Sequence, residues 1–531
     1  MKKKDVLDEL PSDSRVHALR LMPGAFELTD YGNAERLVAR YRDNLRYCVA
    51  RRKYMVWTNK RWAWDETGEA TRMAKATVRS IYAEASDCTD DEQRKMIVAH
   101  ARRSESAGRI EAMLKLAQSE AGVPVLLSDL DSDPWLLNCT NGTVNLRNGQ
   151  LQPHNRSDLI TKCTEVEFKT DARSELWDRV LSDATGGSVE LAGYLQRMAG
   201  YALIGSPLER AFFFIYGPPG TVKSTVVLGL MSALGSYAIA SSFDTFCVQS
   251  NTGGNRGDLV RLAGARLVAC VEVRRGARWD EALVKRITGG DPIVAAQKFE
   301  EEVTFTPACT LLFAANDAPA ARDDDEGLWV RMRRIPFTAV IPTERQDRML
   351  KERLAQPEHA QAILAWAVAG CLEYQQHGLN DPAVVRDSTA AYRAEQDRFA
   401  EFMADCLVFE DGATVSRKQL RVAYEEWGKE VGARTLLGAR EIAQRLRAKQ
   451  CGDRKVMGVT QWCGVRLRAA TDPSELGADE RLGADRGSTH RTLLGNLSSR
   501  GTLENGAPKC PELPLDDTDE RAAIQAEGGA G

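Results

Sequence analysis

At 531 residues, 43% hydrophobic and 27% charged, the chain is long enough for several compact domains and has an ordinary globular composition. No uninterrupted apolar run reaches the roughly 18 residues of a spanning helix, and the start, MKKKDVLDELPSD, lacks the apolar centre of a secretory signal. The 12 Cys include no C-x-x-C pair for a zinc or a redox dithiol, the expected compartment is the cytoplasm, and the formal charge of −4 is an average that does not exclude a local basic groove.

Residues 1–125 open irregularly, then carry a hairpin candidate, YMVWTNKRWAWDETG, turning at Asn59-Lys60, and helical segments over 69–84 and 90–121. Residues 126–205 read as short strands around turns, NGTVNLRNGQLQPH, followed by helices. Residues 206–345 alternate apolar strand-like runs with helices, the pattern of a parallel α/β sheet. A helical connection over 346–385 leads to a block at 386–470 with the pattern helix, helix, hairpin. From 471 to 531 the chain is rich in Gly, Asp, Glu, Ser and Pro without apolar periodicity, the composition of a disordered tail. This tail carries −6, which leaves +2 for residues 1–470.

The apolar run AFFFIY (211–216) feeds directly into GPPGTVKST and then the helical VVLGLMSALG. Strand, Gly-rich loop and helix are the context that a phosphate-binding loop requires. In that reading the loop Gly217, Pro218, Pro219, Gly220, Thr221 and Val222 cradles a nucleotide. Lys223 reaches the β/γ-phosphates, Ser224 gives a hydroxyl to Mg²⁺ and Thr225 packs behind. Val222 stands where the pattern G-x-x-x-x-G-K-S/T has its second Gly, so the loop needs another backbone angle there or carries strain. The bland reading is a chance Gly-Pro turn before a helix.

Three further segments follow. RLVACVEV ends in Glu272, placed for the acid that holds Mg²⁺ or polarises water at the end of the strand neighbouring the loop strand. TLLFAAN ends in Asn316, an amide able to orient the attacking water. GLWVRMRRIPF brings together Arg331, Arg333 and Arg334, any of which could complete a neighbouring subunit's site. Each alone has a plain alternative: a solvated strand end, a turn former, a basic strand face. Between the acid and the amide lies DEALVKRITGGDPIVAAQKFEEEVTFTP, a helix and a strand or hairpin bearing Lys298.

This order resembles a superfamily 3 helicase, and more narrowly the helicase part of phage and plasmid primase-helicases of the poxvirus-like and satellite-phage-like group. The resemblance rests on GARLVACVE, LVKRITGGD, LLFAAN and LWVRMRRIPF. It extends to DPWLLNCTNGTVNLRNGQLQPHNRSDLITK, similar to the opening of the family's helicase-associated domain, and covers roughly residues 25–470. It implies an α/β P-loop (AAA+-like) core at 206–345, with a connector region at 1–125 and a helicase-associated domain at 126–205. A winged-helix-like domain at 386–470 and an acidic tail complete the implied architecture.

By the same resemblance, Lys223 and Ser224 serve ATP and Mg²⁺, Glu272 the acid role, Asn316 the sensor role, and Arg331 the finger, with Arg333 and Arg334 still open because the first of the family's paired arginines is Val330 here. Lys285, Arg286 and Lys298 would line the channel of a ring, commonly a hexamer, around single-stranded DNA. Arg440, Arg445, Arg447 and Lys449 on a helix, with Arg454 and Lys455 on the hairpin, would meet a duplex or fork. Asp129 and Asp131 are the tempting carboxylate cluster for a polymerase, but they sit in a polar linker and no block remains to house a primase, so no primer synthesis is expected and a primase would be a partner. The expected activity is ATP-dependent DNA unwinding in phage, prophage or plasmid replication. The alternatives are a DNA-binding initiator or scaffold whose turnover Val222 has disabled, and an ATPase that remodels a partner.

Overall fold

The computed structural model describes residues 26–248, 256–273, 276–296, 302–322, 325–431 and 436–469. The chain divides into two units, one ending at Tyr392 and one beginning at Arg393.

In the first unit, helix α1 (Asp30–Tyr41) is opened by Thr29, whose hydroxyl accepts from the Gly32 N–H. Strands β1 (Leu45–Cys48), β2 (Lys53–Trp57) and β3 (Trp62–Trp64) pair antiparallel in that order. The expected hairpin is present, with Trp57 opposite Trp62 and Asn59 in the left-handed region (φ 68°). Helix α2 (Glu69–Ser86) matches the expected segment, but the single helix expected over 90–121 is two, α3 (Asp91–Ser104) and α4 (Ala107–Ala117). Ser106 between them has an extended backbone, where a Ser hydroxyl competes with helical hydrogen bonding. A buried polar set ties α1 to α3: Asn33 Nδ2 donates to Ser104 Oγ at 2.9 Å, and His100 Nε2 lies 2.9 Å from Asn33 Oδ1.

Strand β4 (Pro124–Val125) adds to β1 in parallel. The turn-rich segment forms the antiparallel sheet β5 (Leu136–Cys139), β6 (Gly142–Asn145) and β7 (Gln150–Gln152). Asp131 in the preceding linker accepts from the Thr161 backbone N–H at 2.7 Å and Asp129 from the Leu126 N–H at 3.1 Å, so both carboxylates hold backbone. Helices α5 (Glu175–Thr185) and α6 (Val189–Ile204) lead to a third sheet.

That sheet is built from β8 (Phe212–Tyr216), then, after helix α7 (Lys223–Leu234), β9 (Ala238–Ala240) and β10 (Leu267–Val271). Helix α8 (Glu281–Gly289) and the antiparallel pair β11 (Ile293–Ala295) and β12 (Val303–Phe305) intervene before β13 (Thr310–Ala315) and β14 (Met332–Pro336). All five sheet strands are parallel, in the order β14-β8-β13-β10-β9. A parallel sheet is covered on both faces, which is why its strands read as continuous apolar runs. Phe213, Ile215, Leu312 and Ile335 pack with α6 and α7, and Phe212, Phe214 and Phe313 pack with Trp279 and Tyr392 on the other side.

Helix α9 (Pro357–His377) lies in the stretch read as a connection, yet Ile363, Leu364, Ala367, Val368 and Cys371 are core residues. It approaches α6 so closely that a Cβ on Gly200 would stand 2.0 Å from the Cys371 N and one on Gly370 2.0 Å from the Gln196 O. Small residues at both positions are what lets the backbones meet. Helix α10 (Ala383–Gln396) carries the chain past Tyr392.

The second unit contains α11 (Arg398–Cys406), β15 (Leu407–Ser416), α12 (Arg417–Glu430), α13 (Ala439–Ala448), β16 (Gly452–Val456) and β17 (Val459–Leu467). Its sheet order is β15-β17-β16 around Phe402, Tyr424, Trp427, Leu446, Trp462 and Val465. The helix, helix, hairpin pattern is present as α12, α13 and β16–β17, and α11 and β15 are additions: half of the residues of β15, LVFEDGATVS, are exposed, and its polar centre breaks any apolar run. The hairpin turns on Met457 (φ 46°) and Gly458 (φ 84°), and Met457 is fully exposed. Among the described residues no helix is long and apolar enough to cross a membrane.

Candidate functional site

The loop between β8 and α7 is positioned by the sheet's carboxyl edge. Val222 is the residue before α7 and has φ −78°, ψ 25°, close to the bridge region and on the negative-φ side that a residue with a Cβ can adopt. Gly220 takes the left-handed angle of the loop instead (φ +83°). Of the two expected outcomes, another backbone angle or strain at a positive φ, the loop takes the first; the Val222 side chain is buried in the core beside α7. Among the described residues no side chain caps the start of α7, which leaves its first N–H groups directed at the loop.

Lys223 is only 6% exposed. Its ammonium donates to Gly217 O at 2.8 Å, Pro218 O at 2.7 Å and Thr221 Oγ1 at 2.9 Å. Burial pulls its pKa below the usual lysine value. Three neutral oxygens thus hold a desolvated cation that would be better satisfied by an anion. Ser224 is half-buried on the first turn of α7, and Thr225 is buried behind it.

The acid and the amide sit at the same edge. Ala315 is level with Tyr216 across the β13–β8 pair, so Asn316, which is exposed, follows at the level of the loop's first residue. Val271 is level with Ala314, and the Glu272 N–H donates to Ala314 O at 2.9 Å. Glu272 has φ +71°, a left-handed angle that costs a non-glycine residue about 1–2 kcal/mol and concentrates at functional sites. One expectation is corrected: β10 is not the neighbour of β8, because β13 lies between them. The amide is thus beside the loop, with the acid one strand further out. Ser224 and Glu272 offer hard oxygen donors at one edge, the donor type that suits Mg²⁺.

The three arginines, on or just before β14, engage different partners. The Phe212 N–H donates to Arg331 O at 2.9 Å, so Arg331 lies at the start of β8, about 16 Å along the strand from the loop. Its Nη1 donates to Gly327 O at 2.7 Å. Arg333 pairs with Asp381 at 2.5 Å. Arg334 is buried, its guanidinium 3.9 Å from the Tyr216 ring and 4.9 Å from the Tyr392 ring. Neither aromatic partner was suggested by sequence, since nothing local links Tyr216 to Tyr392.

The basic residues divide likewise. Lys285 is paired with Asp325 at 2.6 Å, so it is a structural ion pair rather than an open cation. Arg286 is exposed and donates to Pro292 O. Lys298, between β11 and β12, lies outside the described residues. In the second unit Arg445 pairs with Asp397 at 2.5 Å, and Asp453 is shared by Arg417 and Arg447. Arg440, Lys449, Arg454 and Lys455 are exposed.

Comparisons with known proteins match two segments of the first unit to family models. Residues 34–186 match the family described as D5 N terminal like, and residues 215–334 match a family of unknown function, DUF5906. The chain is 24% identical over 327 residues to "Putative helicase L207/L206" of Acanthamoeba polyphaga mimivirus, covering 58% of this chain and 34% of that protein. It is 22% identical over 254 residues to "Putative helicase 022R" of Frog virus 3 (isolate Goorha), covering 44% and 26%. The chain thus spans about a third or less of these relatives' length. Among solved structures, the apo structure of the NrS-1 C-terminal region overlaps 80% of this chain and 96% of that one at 12% identity, with a TM-score of 0.45. Sequence likeness therefore joins this mixed α/β chain to viral proteins named as helicases.

Proposed function

We propose that the chain is an ATP-dependent, Mg²⁺-requiring DNA helicase of viral, phage, prophage or plasmid replication that works as a ring, a hexamer by resemblance. The observation that carries this reading is the presence, along one sheet edge, of a lysine held by loop oxygens on the helix that follows β8, an amide just past β13 and a strained carboxylate just past β10, three adjacent strands. Lys223 exchanges its three loop oxygens for the β- and γ-phosphates, and the free N–H groups of α7 take the remaining phosphate oxygens. Ser224 and Glu272 would hold Mg²⁺, which when bound neutralises phosphate charge. Asn316 orients the attacking water. Arg331, on the opposite sheet edge, is too far from its own Lys223 to touch the same phosphate, so it serves the adjoining subunit.

Single-stranded DNA passes the segment between β11 and β12, where Lys298 lies, and forked DNA meets the second unit, read as a winged helix, through Arg440, Lys449, Arg454 and Lys455. A primase or another replication protein is the partner such a motor requires. The test is ATP turnover by the purified chain with and without single-stranded DNA. Strong stimulation is expected, and Lys223→Ala should abolish turnover while keeping the melting temperature; retained turnover in that variant overturns the assignment. Strand displacement on a fork then separates unwinding from remodelling of a partner.

A further inference from the structure

The hairpin of β16 and β17 departs from the ordinary chemistry of a tight turn. Val456 and Val459 pair across a two-residue turn, Met457-Gly458, in which both residues take the left-handed angle. Such a turn favours Asn or Asp before Gly, because a short polar side chain tolerates a positive φ and is well hydrated at the surface. Here the position holds a Met with φ 46° that is 100% exposed, and Val459 beside it is 49% exposed. Val456, Met457 and Val459 thus make an apolar point where folding gains little from one. A residue that goes against local preference without burying anything is expected at a functional position.

The point also projects from a braced base. β15 pairs with β17 only as far as Ser416 opposite Gln461, so the hairpin from Val456 to Thr460 extends past the third strand of the sheet. At the other end Trp462 is buried in the core of the second unit, and Asp453, opposite Trp462, holds Arg417 of α12 at 2.6 Å and Arg447 of α13 at 3.1 Å. Between brace and point stand Arg454 and Lys455, both exposed and, among the described residues, engaged in no ion pair. Two cations followed by an apolar tip on a fixed arm suit a nucleic acid whose phosphates meet the cations while the tip reaches the bases. Within an intact duplex, parting two stacked pairs bends the helix. The last pair of a fork can move aside, so the opening of the duplex is where such a tip enters most easily.

We propose that the hairpin tip is a wedge for the junction of single-stranded and duplex DNA: Met457, flanked by Val456 and Val459, enters beside the last base pair and unstacks it, while Arg454 and Lys455 hold the adjoining phosphates. This rests on the reading of the second unit as the part that meets forked DNA, and says what that part does there. Because every base pair has an apolar face, the wedge acts without regard to sequence.

The test uses the full chain, without nucleotide, on a fork carrying 2-aminopurine, an adenine analogue quenched by stacking, in the last pair of the duplex. Saturating protein should raise its fluorescence at least about twofold, while the same probe deep in the duplex stays quenched. Met457→Asn suits the left-handed turn, so it should keep the melting temperature and, since phosphate contacts carry the affinity, keep fork binding within about threefold, yet lose most of the rise. Met457→Leu, apolar and of similar volume, should retain it. Arg454→Gln combined with Lys455→Gln should do the reverse, weakening binding and reducing its salt slope by about two, while saturating protein still unstacks the pair. An undiminished rise in Met457→Asn overturns the wedge and leaves the tip as a contact for another protein; an equal rise at the deep probe overturns it as well. Failure of the unaltered chain to bind the fork overturns the DNA reading of the second unit together with the wedge, whereas binding without a signal that depends on Met457 overturns the wedge alone.

Discussion

Val222 stands at the one position of the phosphate-loop pattern where the sequence departs from it, and the structure removes the physical reason for regarding the departure as disabling. Its φ of −78° needs no glycine, and Gly220 carries the turn. Val222→Gly is therefore expected to change ATP turnover by no more than about threefold, a difference below 1 kcal/mol in the barrier. The same change should lower stability by about 2 kcal/mol, because a buried branched side chain is lost from the core; turnover and a thermal melt check both halves.

His100 makes a second residue-level prediction. Burial and the nearby Arg36, Arg109 and Arg103 depress its pKa, and among the described residues its buried Nδ1 has no hydrogen-bond partner that could accept from it once protonated. The unfolded chain takes up that proton near the ordinary value of about 6.5, whereas the folded chain does so only at lower pH. The neutral imidazole's contribution is thus intact above about pH 6.5 and is lost as the pH falls through the depressed folded value. Melting between pH 7.5 and 5.5 should show a Tm drop that is smaller in His100→Gln.

Among elements, the contact between α6 and α9 is set by Gly200 and Gly370, whose missing Cβ atoms let two backbones touch. Gly370→Ala should cost about 2–3 kcal/mol, since the added methyl meets the Gln196 carbonyl rather than a side chain that can turn aside. Denaturant unfolding measures it. The placement of β13 between β8 and β10 is equally an element-level fact. It puts Asn316 next to the loop and Glu272 one strand away, an order that strand motifs read along the chain do not specify, because parallel neighbours are chosen by crossover packing and not by proximity in sequence.

Over the whole molecule, the two units have separate cores, one around the parallel sheet and one around Trp427 and Trp462. Scanning calorimetry should therefore resolve at least two transitions. Trp427→Ala, which removes a buried ring and its donation to Asp405 at 3.0 Å, should lower one of them by an amount equivalent to about 3–5 kcal/mol and leave the other in place.

Much of the fold was legible locally. The hairpin at Asn59, the loop followed by α7, and the strands ending at Glu272 and Asn316 all follow from turn chemistry and continuous apolar runs, which act over a few residues. β15 was hidden because its exposed residues show no apolar pattern, and α9 passed for a connector because its burial depends on α6, which lies far from it in sequence. The sequence by itself determined which chemical groups the site contains. Only the tertiary structure decided their order across the sheet, the engagement of Lys285 with Asp325 and of Arg334 with Tyr216 and Tyr392, and the distance of Arg331 from its own loop. The reason is that side-chain chemistry is carried residue by residue, whereas partners and distances arise only when segments far apart in the chain pack together.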